Sequence, residues 1–274
     1  MQSRITKPWP FFKYSSLGND FVLIEGAPFD PSPFTWSGVC HRRFGVGADG
    51  VLFLAPSTQY DFKMIYLNAD GNEVGMCGNG ARALVKHFLS LNPGKTQAVF
   101  ETSQAVYRGS LHPSGLIALE MNEKFDQDIF ELQDLDLPKE VKSSSYINTG
   151  VPHLCLEWSG DLQTAPLLSF ASRLRHHPRF TGGVNINIFS HVEGNTFRMR
   201  TFERGVEDET LACGTGAMAV AHHLWKTNSA SELILLAPGG ELRASKKEGS
   251  FELVGGTEQV FSGLFQTTQT PIKI

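Results

Sequence analysis

The 274-residue sequence predicts a mixed α/β protein built from two copies of one domain. In the stretch 203–225, a polar loop leads to a Cys-Gly-x-Gly motif at Cys213 and then to small apolar residues typical of a helix. The same motif occurs earlier, at Cys77, again followed by an apolar run. Further segments repeat at nearly the same separation, so duplication is favoured over chance. The matched pairs are 62–64 with 197–199, 43–44 with 179–180, Asp49 with Asn185, and Tyr14 and Gly18 with Tyr146 and Gly150.

The predicted elements follow one order in both halves. The first half has strands over 12–14 and 21–24, a helix over 35–43, strands over 51–54 and 62–67, a helix over 77–90 and strands within 98–119. The second has strands over 145–148 and 154–158, a helix over 168–175, strands over 184–189 and 196–202, and the Cys213 helix. Residues 122–140 are rich in Asp, Glu and Pro and indicate a connection. We therefore predict domains 1–122 and 123–254, with strand-like residues 251–265 and the segment 255–274 packing back onto the first domain.

Composition excludes several functional classes. With 41% hydrophobic residues, each half can bury its own core. A net charge of −4 with acids and bases interspersed gives no basic patch for nucleic acid. The sequence has no apolar run of membrane-spanning length and no signal-peptide core, which predicts a cytoplasmic protein that does not bind membranes. In that compartment its four cysteines are expected to be thiols.

The repeated motif predicts a thiol at the N-terminus of each helix. Unpaired N–H groups and the helix dipole favour a thiolate there, and they also bind carboxylates. The N–H groups of Gly78, Asn79, Gly214 and Thr215 could together hold one ligand carboxylate. One thiol on each face of a carbon would perform racemase or epimerase chemistry, with no pyridoxal phosphate and no metal. The alternatives for Cys77 and Cys213 are core packing or a redox pair, and core packing is the prediction for Cys40 and Cys155.

Other polar residues are weaker candidates. Asn68 and Glu203 occupy equivalent positions, six residues after Phe62 and Phe197. Glu203 and Arg204 could bind an ammonium and a carboxylate, or form a solvated surface pair. The acidic run 207–209 is expected to be solvated. His153 could be a base, although a lone histidine more often packs or hydrogen-bonds, and Asn19, Asp49 and Asn185 could be turn residues.

Three segments resemble diaminopimelate epimerase, a family of pyridoxal-phosphate-independent isomerases of lysine and peptidoglycan-precursor synthesis. They are LGNDF at 17–21, NADGNEVGMCGNGAR at 68–82 and ERGVEDETLACGTGA at 203–217, and the match extends through nearly the whole chain. The resemblance implies two pseudo-symmetric α/β domains, each a mixed sheet wrapped around a central helix. It also implies an active site in the cleft between them and conversion of LL- to meso-diaminopimelate.

The resemblance assigns roles to individual residues. Cys77 and Cys213 are the acid–base pair and His153 a supporting residue. The reacting centre would be held by Asn19, Gly78, Asn79, Gly214 and Thr215, and the distal centre by Asn68, Asn185, Glu203 and Arg204.

The sequence departs from the family at two positions, and two alternative functions stay open. Many members have Asn where this chain has Val151, and some have Gln at Gly50, which leaves a broader substrate range open. One alternative is a related racemase acting on glutamate, proline or hydroxyproline. The other is a non-catalytic amino-acid-binding protein with a redox cysteine pair. The sequence does not decide whether the chain forms a homodimer.

Overall fold

The computed structural model describes residues 8–30, 32–121 and 135–266, which divide into two compact units. Unit 1 contains the described residues up to Leu119 together with those from Gly256 onward, and unit 2 contains those between Glu120 and Gly255. The predicted boundary between 122 and 123 lies outside the described residues. So do residues 267–274 of the predicted C-terminal segment.

Unit 1 is dominated by strands, with two helices among its described residues. Its elements are β1 (Trp9–Ser16), β2 (Asn19–Glu25), α1 (Pro33–Cys40), β3 (Gly50–Ala55), β4 (Phe62–Asn68), β5 (Glu73–Val74), α2 (Gly78–Leu91), β6 (Gln97–Glu101), β7 (Val106–Leu111), the first three residues of β8 (Ile117–Met121) and, from the C-terminal part, β17 (Glu258–Phe265). β17 pairs antiparallel with β1.

Unit 2 repeats this order of elements. They are β9 (Val141–Asn148), β10 (Pro152–Trp158), α3 (Leu167–Arg175), β11 (Asn185–Glu193), β12 (Thr196–Glu203), β13 (Asp208–Thr210), α4 (Gly214–Leu224), β14 (Glu232–Ala237), β15 (Gly240–Lys247) and β16 (Ser250–Gly255). In each unit the first two strands are antiparallel, the second and third are parallel, and the fourth pairs parallel with the sixth. The predicted duplication and mixed α/β class are therefore confirmed.

One helix in each unit is enclosed by strands. α2 contacts β1, β2, β3, β4, β6 and β7, and α4 contacts β9, β10, β11 and β15. Small side chains suit this position because they let the strands approach closely from several sides. Buried residues accordingly run along both helices: Ala81, Ala83, Leu84 and Val85 in α2, and Ala217, Ala219, Val220 and Ala221 in α4.

The other helix of each unit covers the opposite face of the sheet. Trp36 and Val39 of α1 pack on alternate residues of the strands, including Val22, Val51 and Phe53. In unit 2, α3 packs in the same way, because Phe170 and Leu174 lie in one cluster with residues of β10 and β11. Alternation of side chains places one set of strand residues against each helix. The strands that contact the central helix are therefore also packed on their other face.

Several predicted element bounds were wrong. α1 begins at Pro33, where proline suits the first helical turn, and ends at Cys40 rather than at residue 43. The strand-like stretch 251–265 is two strands, interrupted at Gly256 and Thr257. Strands β14 and β15 were not predicted. Within the described ranges, no helix is both long enough and apolar enough to cross a membrane.

Candidate active site

Cys77 is the N-cap residue of α2, directly before Gly78. It has extended backbone angles (φ −140°, ψ 114°), and its carbonyl accepts the first helical hydrogen bond, from Ala81 N at 2.8 Å. The N–H groups of the first turn therefore point out of the helix, beside the half-buried Cys77 side chain. A Cβ on Gly78 would meet nothing within 4 Å, so the backbone is open to a ligand there. The predicted N-terminal position of this thiol is confirmed.

A tight hairpin places Asn19 next to this thiol. Leu17 and Gly18 both have positive φ angles, 56° and 89°, as a two-residue hairpin turn requires. Asn19 Oδ1 lies 3.9 Å from Cys77 Sγ and accepts a hydrogen bond from Asn79 Nδ2 at 3.3 Å. The structure thus brings together three of the predicted site residues of unit 1.

Charged side chains support Asn19 from behind. Asn19 Nδ2 donates to Asp49 Oδ2 at 2.7 Å, and the same oxygen accepts from the backbone N of Asp20 at 3.0 Å. Although burial raises the pKa of Asp20, hydrogen bonds from Arg42 and Lys13 outweigh it and lower this pKa to about 2. Asp49 also accepts from Arg42 at 2.7 Å. This ionic cluster fixes the hairpin that carries Asn19.

Asn68 stands apart from this group. Its side chain is exposed at the end of β4, and its recorded hydrogen bonds, with Asn72 and Gly71, are made by the backbone. Its register partner is Gly50, where a Cβ would lie 2.5 Å from both Leu67 O and the Tyr66 ring. The departure at residue 50 therefore has a structural reason, because Tyr66 occupies the space that a longer side chain would need.

Cys213 is the N-cap residue of α4, directly before Gly214. Its backbone is extended (φ −121°, ψ 110°), and its carbonyl accepts from Ala217 N at 2.9 Å. Its sulfur lies 3.5 Å from Thr215 Oγ1. A Cβ on Gly216 would lie 2.5 Å from Asn187 Oδ1 and 3.3 Å from the sulfur, so the second glycine of this motif is required by packing. Cys77 and Cys213 are both in the reduced form.

His153 is fully buried and belongs to a hydrogen-bonded row in unit 2. Thr201 Oγ1 donates to Asn187 Oδ1 at 2.9 Å, which turns the Asn187 amide nitrogen towards His153 Nδ1 at 3.0 Å. Burial, followed by the positive charge of Arg204, lowers the pKa of His153 to about 3. The ring is therefore neutral, with Nδ1 accepting and Nε2 carrying the proton. Because Nδ1 accepts from Asn187, the ring presents Nε2–H as a donor, and the role of His153 in the site stays a prediction.

The remaining candidates of unit 2 surround the end of β12. Asn185 is buried, donates to Pro152 O at 3.0 Å and accepts from the backbone N of Arg204 at 2.7 Å. It therefore positions the Arg204 backbone, whereas its substrate contact stays a prediction. Glu203 accepts from Thr210 Oγ1 at 3.0 Å, and Arg204 Nη1 donates to Gly182 O at 3.3 Å. Both charged groups are half-buried at the edge of the unit.

Sequence reasoning missed three residues of these two sites. Arg82 is fully buried in α2, and Asn187 and Thr201 lie in the row with His153. The alternation of Asn and Ile at 185–188 could have indicated two inward-facing amides, whereas nothing in the sequence marks Arg82 as buried. The acidic run was also misjudged, because Glu209 forms a two-armed ion pair with Arg200, both contacts at 2.6 Å.

Sequence comparisons with known proteins give one family. The sequence model of the family described as "Diaminopimelate epimerase" matches residues 11–115 and 145–255. Diaminopimelate epimerase of Flavobacterium psychrophilum is 34% identical over 241 residues, which cover 85% of this chain and 89% of that protein. Diaminopimelate epimerase of Methanocella arvoryzae is 35% identical over 274 residues, covering 92% of this chain and 95% of that protein.

Solved structures share the fold at low sequence identity. A phenazine biosynthesis protein of the PhzF family from Enterococcus faecalis aligns with a TM-score of 0.72 and 15% identity, covering 94% of this chain and 99% of that chain. A probable proline racemase from Agrobacterium radiobacter aligns with a TM-score of 0.66 and 15% identity, covering 97% and 94%. At this level of identity the likeness concerns the fold alone.

Proposed function

The chain belongs to the diaminopimelate epimerase family, and from that premise we propose that it interconverts LL- and meso-diaminopimelate with two thiols and no cofactor. This isomerase reaction belongs to the synthesis of lysine and of the peptidoglycan precursor. The observation that carries the proposal is the placement of Cys77 and Cys213 as the N-cap residue of the central helix in each unit. The family match disfavours glutamate, proline or hydroxyproline as the main substrate.

The two sulfurs divide the proton transfer between them. A thiolate removes the α-proton from one face of the carbon, and the thiol of the other cysteine delivers a proton to the opposite face. The S–H bond that breaks and the S–H bond that forms balance, so each turnover exchanges the protonation states of Cys77 and Cys213. The reverse reaction then begins from the exchanged state.

The helix ends stabilise the charge that this transfer creates. An α-hydrogen of an amino acid is very weakly acidic, so the negative charge that develops on the carboxylate oxygens, as in an enediolate, must be matched by fixed hydrogen-bond donors. The backbone N–H groups of Gly78, Asn79, Gly214 and Thr215 belong to the first turns of α2 and α4 and are directed out of the helices. Asn19, held beside Cys77, is proposed to contact the same reacting centre.

The distal amino-acid group is proposed to bind Asn68, Asn185, Glu203 and Arg204. Glu203 suits an ammonium and Arg204 a carboxylate, and Asn185 fixes the Arg204 backbone at 2.7 Å. The neutral His153 supports this region from the interior of unit 2. Val151 contributes no polar side-chain atom, so recognition of the distal group is proposed to rest on these four residues.

Proton NMR of the reduced enzyme in D2O tests the proposal. LL-diaminopimelate, L-glutamate and L-proline are incubated separately, and loss of the α-hydrogen signal is followed together with chiral analysis. We expect exchange and epimerisation of diaminopimelate, with much slower exchange of the other two. No exchange with any of them would support a binding protein, and preferential exchange of glutamate or proline would support a related racemase.

We propose the cytoplasm as the location of the enzyme, because catalysis by two thiols requires a reducing compartment. Cell fractionation with an antibody to the chain tests this. An oxidising compartment would contradict it.

We also propose a homodimer. Val260 and Leu264 of β17 are 59% and 67% exposed, apolar side chains that a second copy could cover, whereas Phe261 packs on Phe11. Light scattering should then give twice the chain mass, and Leu264→Lys should reduce it. A monomer at micromolar concentration would contradict the proposal.

A further inference from the structure

Arg82 is an unusual residue for the interior of a protein. It lies on α2 five residues after Cys77 and is 0% exposed. Its Nη2 donates to Asn79 Oδ1, whereas Nε and Nη1 have no hydrogen-bond partner among the described residues. None of the described carboxylates pairs with it. A buried guanidinium without a counter-charge is destabilising, so its presence calls for a functional reason.

Arg82 begins a hydrogen-bonded row that ends at a carboxylate. The guanidinium donates to Asn79 Oδ1, Asn79 Nδ2 donates to Asn19 Oδ1 at 3.3 Å, and Asn19 Nδ2 donates to Asp49 Oδ2 at 2.7 Å. Every donor points away from the cation and towards the anion. Reversing either amide would put two donors or two acceptors against each other, so the row fixes the orientation of both amides.

Cys77 is the charged group that acts on Arg82. Burial lowers the pKa of Arg82 to about 10, and the neighbouring Cys77 opposes this by raising it. Because the coupling between two charges is mutual, a positive charge on Arg82 in turn favours the ionised form of the sulfur.

Other ionisable groups packed against α2 are engaged elsewhere or uncharged. Burial raises the pKa of Tyr14 to about 12 and also raises that of Tyr107. Glu25 contacts His87 at 3.0 Å, and Lys86 pairs with Glu258 at 2.7 Å. By strand alternation, the remaining ionisable residue facing α2 from β4 is Tyr66.

Unit 2 lacks this arrangement at the equivalent positions. Met218 takes the position of Arg82 in the repeated motif and is fully buried on α4. Thr215 takes the position of Asn79, and Val151 takes that of the hairpin amide Asn19. The sulfur of Cys213 therefore has a hydroxyl at 3.5 Å and an apolar helix behind it. The two thiols have similar backbones and different electrostatic surroundings.

We propose that Arg82 is a positioning residue for Cys77: it orients Asn79 and Asn19 and supplies the positive charge that keeps the Cys77 sulfur ionised in the resting enzyme, while Cys213 carries the proton. The inference rests on the proposed function and assigns the resting state of its two thiols. Asn19 Oδ1 acts in the opposite sense, because it can accept from a Cys77 S–H. At 3.9 Å that contact is weak, whereas the field of a buried full charge falls off slowly.

The pH dependence of alkylation tests the proposal without substrate. Iodoacetamide is applied to the reduced enzyme over a pH series, and the rate at each cysteine is read by peptide mass spectrometry. In the wild type we expect a lower pH midpoint for Cys77 than for Cys213. Arg82→Met, which copies the residue of unit 2, should raise the Cys77 midpoint by about one unit or more and leave that of Cys213 unchanged.

Two further variants separate charge from hydrogen bonding. Arg82→Gln keeps a donor for Asn79 without the charge, so its Cys77 midpoint should rise as in Arg82→Met. Arg82→Lys keeps the charge, and its midpoint should stay closer to that of the wild type. Met218→Leu is the matched control on α4 and should move neither midpoint. If Arg82→Met does not fold, the Gln and Lys variants still decide the question.

The outcomes distinguish this inference from the proposed function. An unchanged Cys77 midpoint in Arg82→Met and Arg82→Gln, or a lower midpoint for Cys213 in the wild type, would overturn the role of Arg82. Absence of diaminopimelate exchange in the wild type would instead overturn the proposed reaction. A merely structural role would lower the melting temperature without moving the midpoint. We expect Arg82→Met to move the Cys77 midpoint with little change in melting temperature, since a buried methionine, Met218, occupies the equivalent position of α4.

Discussion

The N-termini of α2 and α4 have the same backbone conformation and differ in the side chains around it. Each begins with a cysteine whose carbonyl accepts from an alanine four residues later, at 2.8 Å in unit 1 and 2.9 Å in unit 2. Cys77 is flanked by amides that run from a buried cation to a carboxylate. Cys213 lies near a threonine hydroxyl and a neutral row that ends at His153. The repeat thus keeps the backbone conformation of the helix start and changes the side chains around each thiol.

The interior of the two helices supports the same conclusion. His87 and His223 occupy equivalent positions on α2 and α4 and hydrogen-bond strand residues in their own units. Burial lowers the pKa of His87, and it lowers that of His223 to about 4, so both are neutral near pH 7. The divergence therefore concerns the N-terminal part of each helix, up to Arg82 and Met218, and does not extend to this histidine position.

Removal of either thiol should have the largest effect on activity. Cys77→Ala or Cys213→Ala should lower the rate of epimerisation by at least about a thousandfold, because one face of the α-carbon loses its proton donor or acceptor. The rate is measured by chiral separation of diaminopimelate isomers. Cys40→Ala is the control, since burial raises the pKa of the Cys40 thiol to about 12 and this residue lies outside both motifs. Full activity in either site variant would disprove the two-thiol mechanism.

Substitution of the second glycine of each Cys-Gly-x-Gly motif tests how rigid the side chains packed against each helix start are. In Gly216→Ala the new Cβ would lie 2.5 Å from Asn187 Oδ1, which is held by Thr201. In Gly80→Ala it would lie 2.8 Å from the end of the Leu52 side chain, which can move. We expect Gly216→Ala to destabilise the protein by about 1–3 kcal/mol and Gly80→Ala by less than about 1 kcal/mol. Urea unfolding of both variants measures this, and equal stabilities would show that the Asn187 row is not rigid.

The comparison also shows what sequence can predict. The cysteines, the glycines and the central helices followed from a repeated local pattern, because a helix start is encoded by neighbouring residues. Arg82 could not be predicted, since arginine is ordinarily exposed and only tertiary packing buries it. Glu209 was assigned to solvent because its partner, Arg200, lies on the facing strand. Contacts set by strand register therefore had to come from the structure.

His153 gives the two units different sensitivity to pH. In unit 1 the equivalent position is Phe21, which does not titrate. Because burial lowers the pKa of His153 to about 3, its contribution to stability is complete above the unfolded pKa and is lost as the pH falls below about 6.5. Between pH 7.5 and pH 5 this loss is about 2 kcal/mol.

Urea unfolding of His153→Gln at both pH values measures that contribution. Glutamine can still accept from Asn187, so the variant should fold, and its difference in unfolding free energy between the two pH values should be smaller than that of the wild type by about 2 kcal/mol. His191→Gln, at an exposed histidine, is the control. An unchanged difference between the two pH values in His153→Gln would mean that other histidines cause the acid sensitivity.

Val151→Asn tests the difference between Asn19 and Val151 and is expected to have the smallest effect of these changes. Asn19 forms hydrogen bonds with Asp49 and Asn79, whereas Val151, at the equivalent position of unit 2, has no polar side-chain atom to bind a substrate or a neighbour. An added amide should improve kcat/KM for diaminopimelate relative to L-glutamate by up to about tenfold, because a site that hydrogen-bonds its substrate rejects analogues lacking the distal group. Competition between the two substrates in D2O measures the ratio, with Val151→Leu as the control for size. If the ratio falls or stays the same, Val151 is not the position that relaxes distal recognition, and Gly50 with its neighbour Tyr66 becomes the next position to change.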